Sequence, residues 1–398
     1  MVTRLRRVAL PTTLLLASAL SRGLTAQIAV SANDGKAVLV DGVNTVPARP
    51  APDSISILDL GTARIRLIGE VRAPTAVVGP PESVAIAPNE SFALVTAATR
   101  VDPTDATKTA PNDVVTVIDL KAAPPVAVAT LHAGRGASGV SINRAGTLAL
   151  VANRIDGTVS VFGIEGTVVR PIETISLNAP DSGPSHVVFT PDGRRALVTR
   201  NNDSLISILA ISGTKVEYTR RDVTAGLKPY AIEITPDGAL AIVAHIGAGA
   251  TGGTDTLGVI DLRAEPIRAI GQLAVGSTPE GLAISPDGRY VAVTVMNGSN
   301  NPRQSPLFRD FGLLRILALR NRTLVPVTEA RIGHWCQGVA WNQDSRRIVV
   351  QCMVEQQLQI FGFSGRTLTP EAPLKLSAGP AGIRTADRGA APRAAPSR

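Results

Sequence analysis

A turn motif that recurs along the chain limits its fold more than any other feature. Val187-Val188-Phe189 leads into Thr190-Pro191-Asp192-Gly193, and the pattern returns as Ile232-Glu233-Ile234-Thr235-Pro236-Asp237-Gly238 and Leu282-Ala283-Ile284-Ser285-Pro286-Asp287-Gly288. Weaker copies use Ala32-Asn33-Asp34-Gly35, Pro88-Asn89-Glu90, Arg144-Ala145-Gly146 and Gln343-Asp344-Ser345. Proline presets φ and glycine accepts positive φ, so each copy reverses the chain. Counted from positions 35, 90, 146, 193, 238, 288 and 345, successive copies lie 45 to 57 residues apart, the period of one propeller blade with loop insertions. A third strand follows each turn, as at Val114 to Leu120 or Gly258 to Leu262, and a fourth, such as Ile270 to Val275, completes the unit. One such sheet cannot bury both faces alone, whereas seven around an axis can. The sequence therefore predicts an all-β fold over residues 27–386, a seven-bladed β-propeller of four-stranded antiparallel blades. Only 3% of the residues are aromatic, and Val, Ile, Ala and Gly are plentiful, which suits short strands better than long helices.

The two ends read differently from the body. Residues 1–26 have the form of a signal peptide: Arg4, Arg6 and Arg7, then the apolar stretch Val8 to Leu20, then small residues, with cleavage after Ala19 or Ala26. No run reaches the roughly 18 apolar residues that span a bilayer, so no membrane span is expected in the mature chain. A periplasmic or secreted location follows. Of the formal charge of +8, half comes from four arginines in residues 1–26 and about three from the arginine-rich segment 384–398, so the propeller itself is near neutral. A nucleic-acid partner needs basic residues clustered on the body and is disfavoured. The partner expected instead is an unidentified small molecule or an envelope protein, engaged by a monomer. Residues 387–398 are expected to form a disordered basic tail.

Ring closure admits two arrangements. Ile28-Ala29-Val30-Ser31 offers an inner strand to blade 1, and Gly379-Pro380-Ala381-Gly382-Ile383 restarts the same pattern at the other end. The Asn33-Asp34-Gly35 turn favours the N-terminal strand for that slot. The only two cysteines, Cys336 and Cys352, lie equally far from the turn near Asp344, so an antiparallel hairpin sets them opposite each other and predicts a disulfide.

Antiparallel connection places the turns between strands one and two on one face of the ring, and the loops between strands two and three and from strand four to the next blade on the other. Insertions fall on that second face, at Val43 to Asp53 in blade 1, Ala98 to Asp113 in blade 2, Ile246 to Asp255 in blade 5 and Asn297 to Phe311 in blade 6. They flank blade 7 and leave blades 3 and 4 open, the outline of a lopsided cleft. Opening the inner strands at the mouth are Glu82, Ser138, Ser185, Tyr230, Glu280 and Gln337, and ending strand two of blades 3 to 5 are Asn153, Arg200 and His245. These nine are the candidate ligand contacts. Hydrogen bonding to loop backbone and channel water is the competing use for them.

Gly247-Ala248-Gly249-Ala250-Thr251-Gly252 matches the spacing of a dinucleotide loop, but a strand follows where the phosphates need a helix N-terminus, so it reads as a plain loop. No nucleophile elbow, haem motif or clustered metal ligands occur, and neither a cofactor nor a metal is expected. His132, His186, His245 and His334 are scattered over four blades.

Gly183-Pro184, Pro191-Asp192-Gly193, Val151-Ala152-Asn153 and Val117-Ile118-Asp119 together resemble the YVTN-repeat β-propeller family over roughly residues 28–386. That family holds exported proteins, surface-layer proteins and relatives of lactonases, so the resemblance implies the fold and leaves the role open. The reading favoured here is a binding or scaffolding module with its site on the long-loop face; the alternatives are a lactonase-like hydrolase of sugar or aromatic lactones and a nucleic-acid-binding propeller. For the hydrolase, Ser185-His186 precedes its turn much as a histidine does in phosphogluconolactonase relatives, shifted by one residue. Arg200 is then the carbonyl-polarising group, with His186 or Glu280 as base. Arg200-Asn201-Asn202-Asp203 stands where that family tends to be Asp-rich.

Overall fold

In a computed structural model, which describes residues 27–61, 64–248 and 252–387, the chain forms seven four-stranded antiparallel sheets around one axis. No helix occurs among the described residues. Residues 1–26 and 388–398, and with them the expected signal peptide and most of the expected tail, lie outside the described residues, as does the middle of the Gly247–Gly252 loop.

Each turn is built by its own side chains. In blade 4 the Thr190 hydroxyl bonds Asp192 Oδ1 at 2.6 Å and accepts the Arg195 N–H at 3.1 Å, while Gly193 takes a φ of 68°. Thr235-Asp237-Gly238 and Ser285-Asp287-Gly288 repeat the arrangement. The local chemistry thus sets the hairpin, and the apolar faces of neighbouring hairpins then pack together. One such layer joins Leu148, Leu150 and Val159 of blade 3 to Val187, Phe189 and Val198 of blade 4.

Inner and second strands do not pair in simple register. Pro184 lies opposite Arg200 but Val187 lies opposite Val198, so two residues, Ser185 and His186, face Thr199 alone. This β-bulge recurs in blades 3, 5, 6 and 7 at the same place. Bulges bend a strand and re-aim its side chains, and here they fall where the inner strands open. Threonines opposite the bulge stitch the ring: Thr199 Oγ1 accepts the His186 N–H at 3.0 Å and donates to Tyr230 O of blade 5 at 2.8 Å.

Ring closure corrects the sequence expectation. The sheet of blade 1 runs Gly379–Thr385, Ile28–Asp34, Ser54–Asp59, Arg66–Val71, so the C-terminal segment is the inner strand and the N-terminal segment is strand two. Asn33 is accordingly the end of a second strand, with its amide on Ser54 Oγ (3.1 Å) and Ser56 Oγ (2.9 Å), just as Asn153 holds Thr158 Oγ1 and Ser160 Oγ, both at 2.9 Å. Gly35 follows that strand and is no counterpart of Gly193. Order also continues past Thr385, since Asp387 pairs with Arg144 at 2.9 Å.

Cys336 and Cys352 are opposite each other and disulfide-bonded, with Cα atoms 3.9 Å apart. Closing a loop of about 15 residues stabilises by about 3 kcal/mol in the chain-entropy picture. Urea unfolding of Cys352→Ser beside the unaltered protein is expected to show a loss of that order, with an unchanged strand spectrum.

Candidate functional site

On the long-loop face, the insertion of blade 1 folds into the hairpin Val38–Val40 and Val43–Thr45. It reaches the insertion of blade 6, where the Arg303 N–H meets Asp41 Oδ1 at 3.0 Å. The blade 6 insertion in turn lies on blade 7: Ser299 Oγ accepts the Trp335 N–H at 3.3 Å, and Phe308 stacks on His334. His334 is held between Glu355 (2.7 Å) and Asp310 (3.0 Å). The insertions of blades 1 and 6 thus meet each other, and that of blade 6 covers blade 7.

Where the inner strands open lies a polar throat. Gln337 Nε2 donates to Glu280 Oε2 at 2.6 Å. Arg154, from the position after strand two of blade 3, donates to Ser185 Oγ and, at 3.1 Å, to Asn201 Oδ1. Its guanidinium lies over the Tyr230 ring, 5.7 Å from the centroid. Tyr230 reaches across to the backbone of Gly79 in blade 2, beside Ser138. Gly79 has a φ of 111°, and a Cβ there would run into the Ser138 hydroxyl. The six inner-strand candidates, Glu82, Ser138, Ser185, Tyr230, Glu280 and Gln337, thus converge at one place.

Burial governs their protonation. Desolvation raises Glu280 from 4.5 to about 7, against the Gln337 hydrogen bond and the charge of Arg154. It also lifts Glu82 well above the usual carboxylate range, against the charge of Arg384. Tyr230 is likewise raised, so its hydroxyl stays protonated. Deeper in the channel Arg384 is ion-paired with Glu233 above a cavity of about 160 Å³ that includes Arg144 and Asp387 and lies toward the turn face.

The other three candidates do not join the throat. Asn153 spends its amide on Gly134 N, Thr158 and Ser160 within blade 3. His245 is packed against Gly226 and Gly258, bonded to Thr256 O at 3.2 Å, and desolvation pushes it down to about 4. Arg200 is held by Asp203, Asp222 (3.3 Å), Ser207 (3.3 Å) and Tyr218 (3.4 Å) within blade 4. Alternate residues of a strand face opposite ways, so the polar groups that point inward are the next ones along, Arg154 and Asn201. His186 is fully buried against Gly139, its Nδ1 accepting the Ile232 N–H at 3.4 Å, and burial holds it neutral. An arginine directly after the Val-Ala-Asn element was the available signal for Arg154. Arg200→Ala is therefore expected to lower stability in thermal unfolding by about 1–3 kcal/mol, less than the ~3–5 kcal/mol of a fully buried pair because Asp203 and Asp222 keep contact with solvent, and to change any turnover by less than about threefold.

Fold and site define a seven-bladed propeller with a buried acid–arginine throat. Over residues 173–301 the chain matches the family model described as "Lactonase, 7-bladed beta-propeller". A search of curated proteins finds no match. Among solved structures, the chain resembles a candidate 6-phosphogluconolactonase of Bacteroides uniformis at 14% identity and TM-score 0.70, covering 90% of this chain and 99% of the other. The periplasmic gluconolactonase of Pseudomonas aeruginosa matches at 13% identity and TM-score 0.64, covering 91% and 99%. Hydrazine synthase of Kuenenia stuttgartiensis matches at 16% and 0.60, covering 78% and 90%. Likeness at such identity speaks to the fold alone. The family match names a lactonase-type propeller and not the YVTN-repeat family. It also corrects the first expectation about function, favouring the hydrolase over the binding or scaffolding module.

Proposed function

We propose that the protein is a lactone hydrolase whose reaction takes place in the throat, with Glu280 as general base and Arg154 as the oxyanion-stabilising group. The observation that carries this is the Glu280 carboxyl, set near neutrality by burial and oriented by Gln337, beside the Arg154 guanidinium, which donates to the neutral oxygens of Ser185 and Asn201. A general base works best with a pKa near the operating pH, and a positioned cation in a dry site stabilises developing negative charge. In the reaction Glu280 takes a proton from water as its oxygen bonds the lactone carbonyl carbon. The carbonyl oxygen gains negative charge facing Arg154. Collapse of that intermediate breaks the bond to the ring oxygen, which recovers the proton from Glu280, leaving a hydroxy acid that ionises.

An exported setting is supported by the form of residues 1–26 and by the disulfide. The test is acid release from sugar and aromatic lactones by the purified protein, followed with a pH indicator. Opening of no lactone above the buffer rate would sink the proposal.

A further inference from the structure

Three buried polar atoms in the throat have no hydrogen-bond partner: Glu82 Oε2 from blade 2, Ser138 Oγ from blade 3 and Gln337 Oε1 from blade 7. Their residues are each only 2% exposed. Buried polar groups are nearly always paired, so three orphans in one throat mark a place that is filled by something able to pair them. Chemically they are a carboxyl, a hydroxyl and an amide carbonyl, and together they offer both donors and acceptors. Ring hydroxyls, each a donor and an acceptor, answer all three. An alkyl or aromatic lactone without hydroxyls brings acceptors only and leaves Gln337 Oε1 unpaired.

Charge narrows the choice further. Among the described residues, Arg154 is the cation that bears on both Glu280 and Tyr230. The next guanidinium inward, Arg384, is ion-paired with Glu233. That single available cation faces Glu280, which is partly ionised near neutral pH, while the buried Glu82 carboxyl keeps its proton. Phosphate recognition favours bidentate arginine, whereas here a dianion would meet one guanidinium already bonded to Ser185 and Asn201, with the ionisable Glu280 beside it.

We infer that the throat accepts a polyhydroxylated lactone without a phosphate group and rejects the phosphorylated counterpart. This rests on the lactone-hydrolase reading and adds the substrate class. A site built to bond substrate hydroxyls discriminates by orders of magnitude against analogues that leave its groups unpaired.

Two measurements on the intact protein separate the inference from the reading beneath it. Hydrolysis of D-glucono-1,5-lactone and of its 6-phosphate is compared by kcat/KM, and binding of gluconate and 6-phosphogluconate by calorimetry. The expected result is a preference for the unphosphorylated form of at least about 100-fold in kcat/KM, with the same order of preference in binding. Glu280→Gln removes one acid and should shift the binding ratio toward 6-phosphogluconate by about tenfold, a readout independent of turnover. Ser138→Ala should weaken gluconate about tenfold. Equal or better use of the phosphorylated form, or binding of neither product, overturns the inference. Preferential gluconate binding with no hydrolysis keeps the selectivity and removes the hydrolase reading.

Discussion

Removing residues 379–398 is expected to abolish the cooperative folded state, whereas removing residues 388–398 should leave it intact. The segment Gly379–Thr385 is the inner strand of blade 1, paired with Ile28–Asp34 from Ala29↔Thr385 to Asp34↔Gly379. Ala381 and Ile383 are almost completely buried, and Ile383 packs with Ala29, Leu58, Ala340 and Val349 between blades 1 and 7. Gln351 of blade 7 donates to Gly382 O at 3.0 Å and to Ser31 Oγ at 2.7 Å, so the same strand also ties the two ends of the ring together. Its loss strands Glu233 without Arg384 and exposes the edge of Ile28–Asp34. Domains have only about 5–15 kcal/mol of net stability, and the loss of one inner strand of seven, with an opened interface and a buried unpaired acid, exceeds that margin. Thermal unfolding by circular dichroism and size-exclusion chromatography check this: a sharp transition and monomeric elution after truncation at Gly379 would reject C-terminal closure.

Glu280→Gln is expected to lower hydrolysis by about 10²–10⁴-fold, the usual contribution of a positioned general base, and at the same time to stabilise the protein above neutral pH. The second effect follows from linkage. The folded-state pKa of Glu280 is about 7 against 4.5 for the free side chain. A carboxyl raised on folding keeps its proton between those values while the unfolded chain gives it up, so stability falls as pH rises from about 4.5 to 7 and the full cost is present above 7. At about 1.4 kcal/mol per unit, that cost is at most about 3.5 kcal/mol, and glutamine escapes it while keeping an acceptor for Gln337. The variant should therefore melt higher than the unaltered protein at pH 8 and equally at pH 4. Below neutrality, activity of the unaltered protein should fall about tenfold per pH unit as Glu280 protonates. Equal melting of both proteins at pH 8 would reject the buried, pKa-raised carboxyl, and full activity of the variant would reject its role as base.

Much of this was legible in the residues because the controlling interactions are local. Thr190-Pro191-Asp192-Gly193 closes its own turn, so its repeats mark blades 2 to 7, and the remaining blade, blade 1, is the one closed by the two ends of the chain. Cys336 and Cys352 were placed opposite each other by equal distance from a turn. Harder to read were choices between similar local signals. Both Ile28–Asp34 and Gly379–Thr385 look like strand material, and Ser31-Ala32-Asn33 does resemble the second-strand Val-Ala-Asn, but the neighbouring Asp34-Gly35 resembles an inner-strand turn.

The chain's sequence by itself determined the all-β class, the seven units, the decorated face and the disulfide, because turn chemistry and period-two alternation act within a few residues. Only the tertiary structure decided which terminus fills the inner slot of blade 1, since that depends on packing and pairing between residues more than 300 positions apart, as in Gln351 to Ser31. It also decided that Arg154 and Asn201, and not Asn153, Arg200 and His245, enter the throat. One residue along a strand reverses the direction of a side chain, and that direction is settled by which face the rest of the ring buries. The near-neutral pKa of Glu280 belongs to the same level, because desolvation exists only once several blades have closed around the carboxyl.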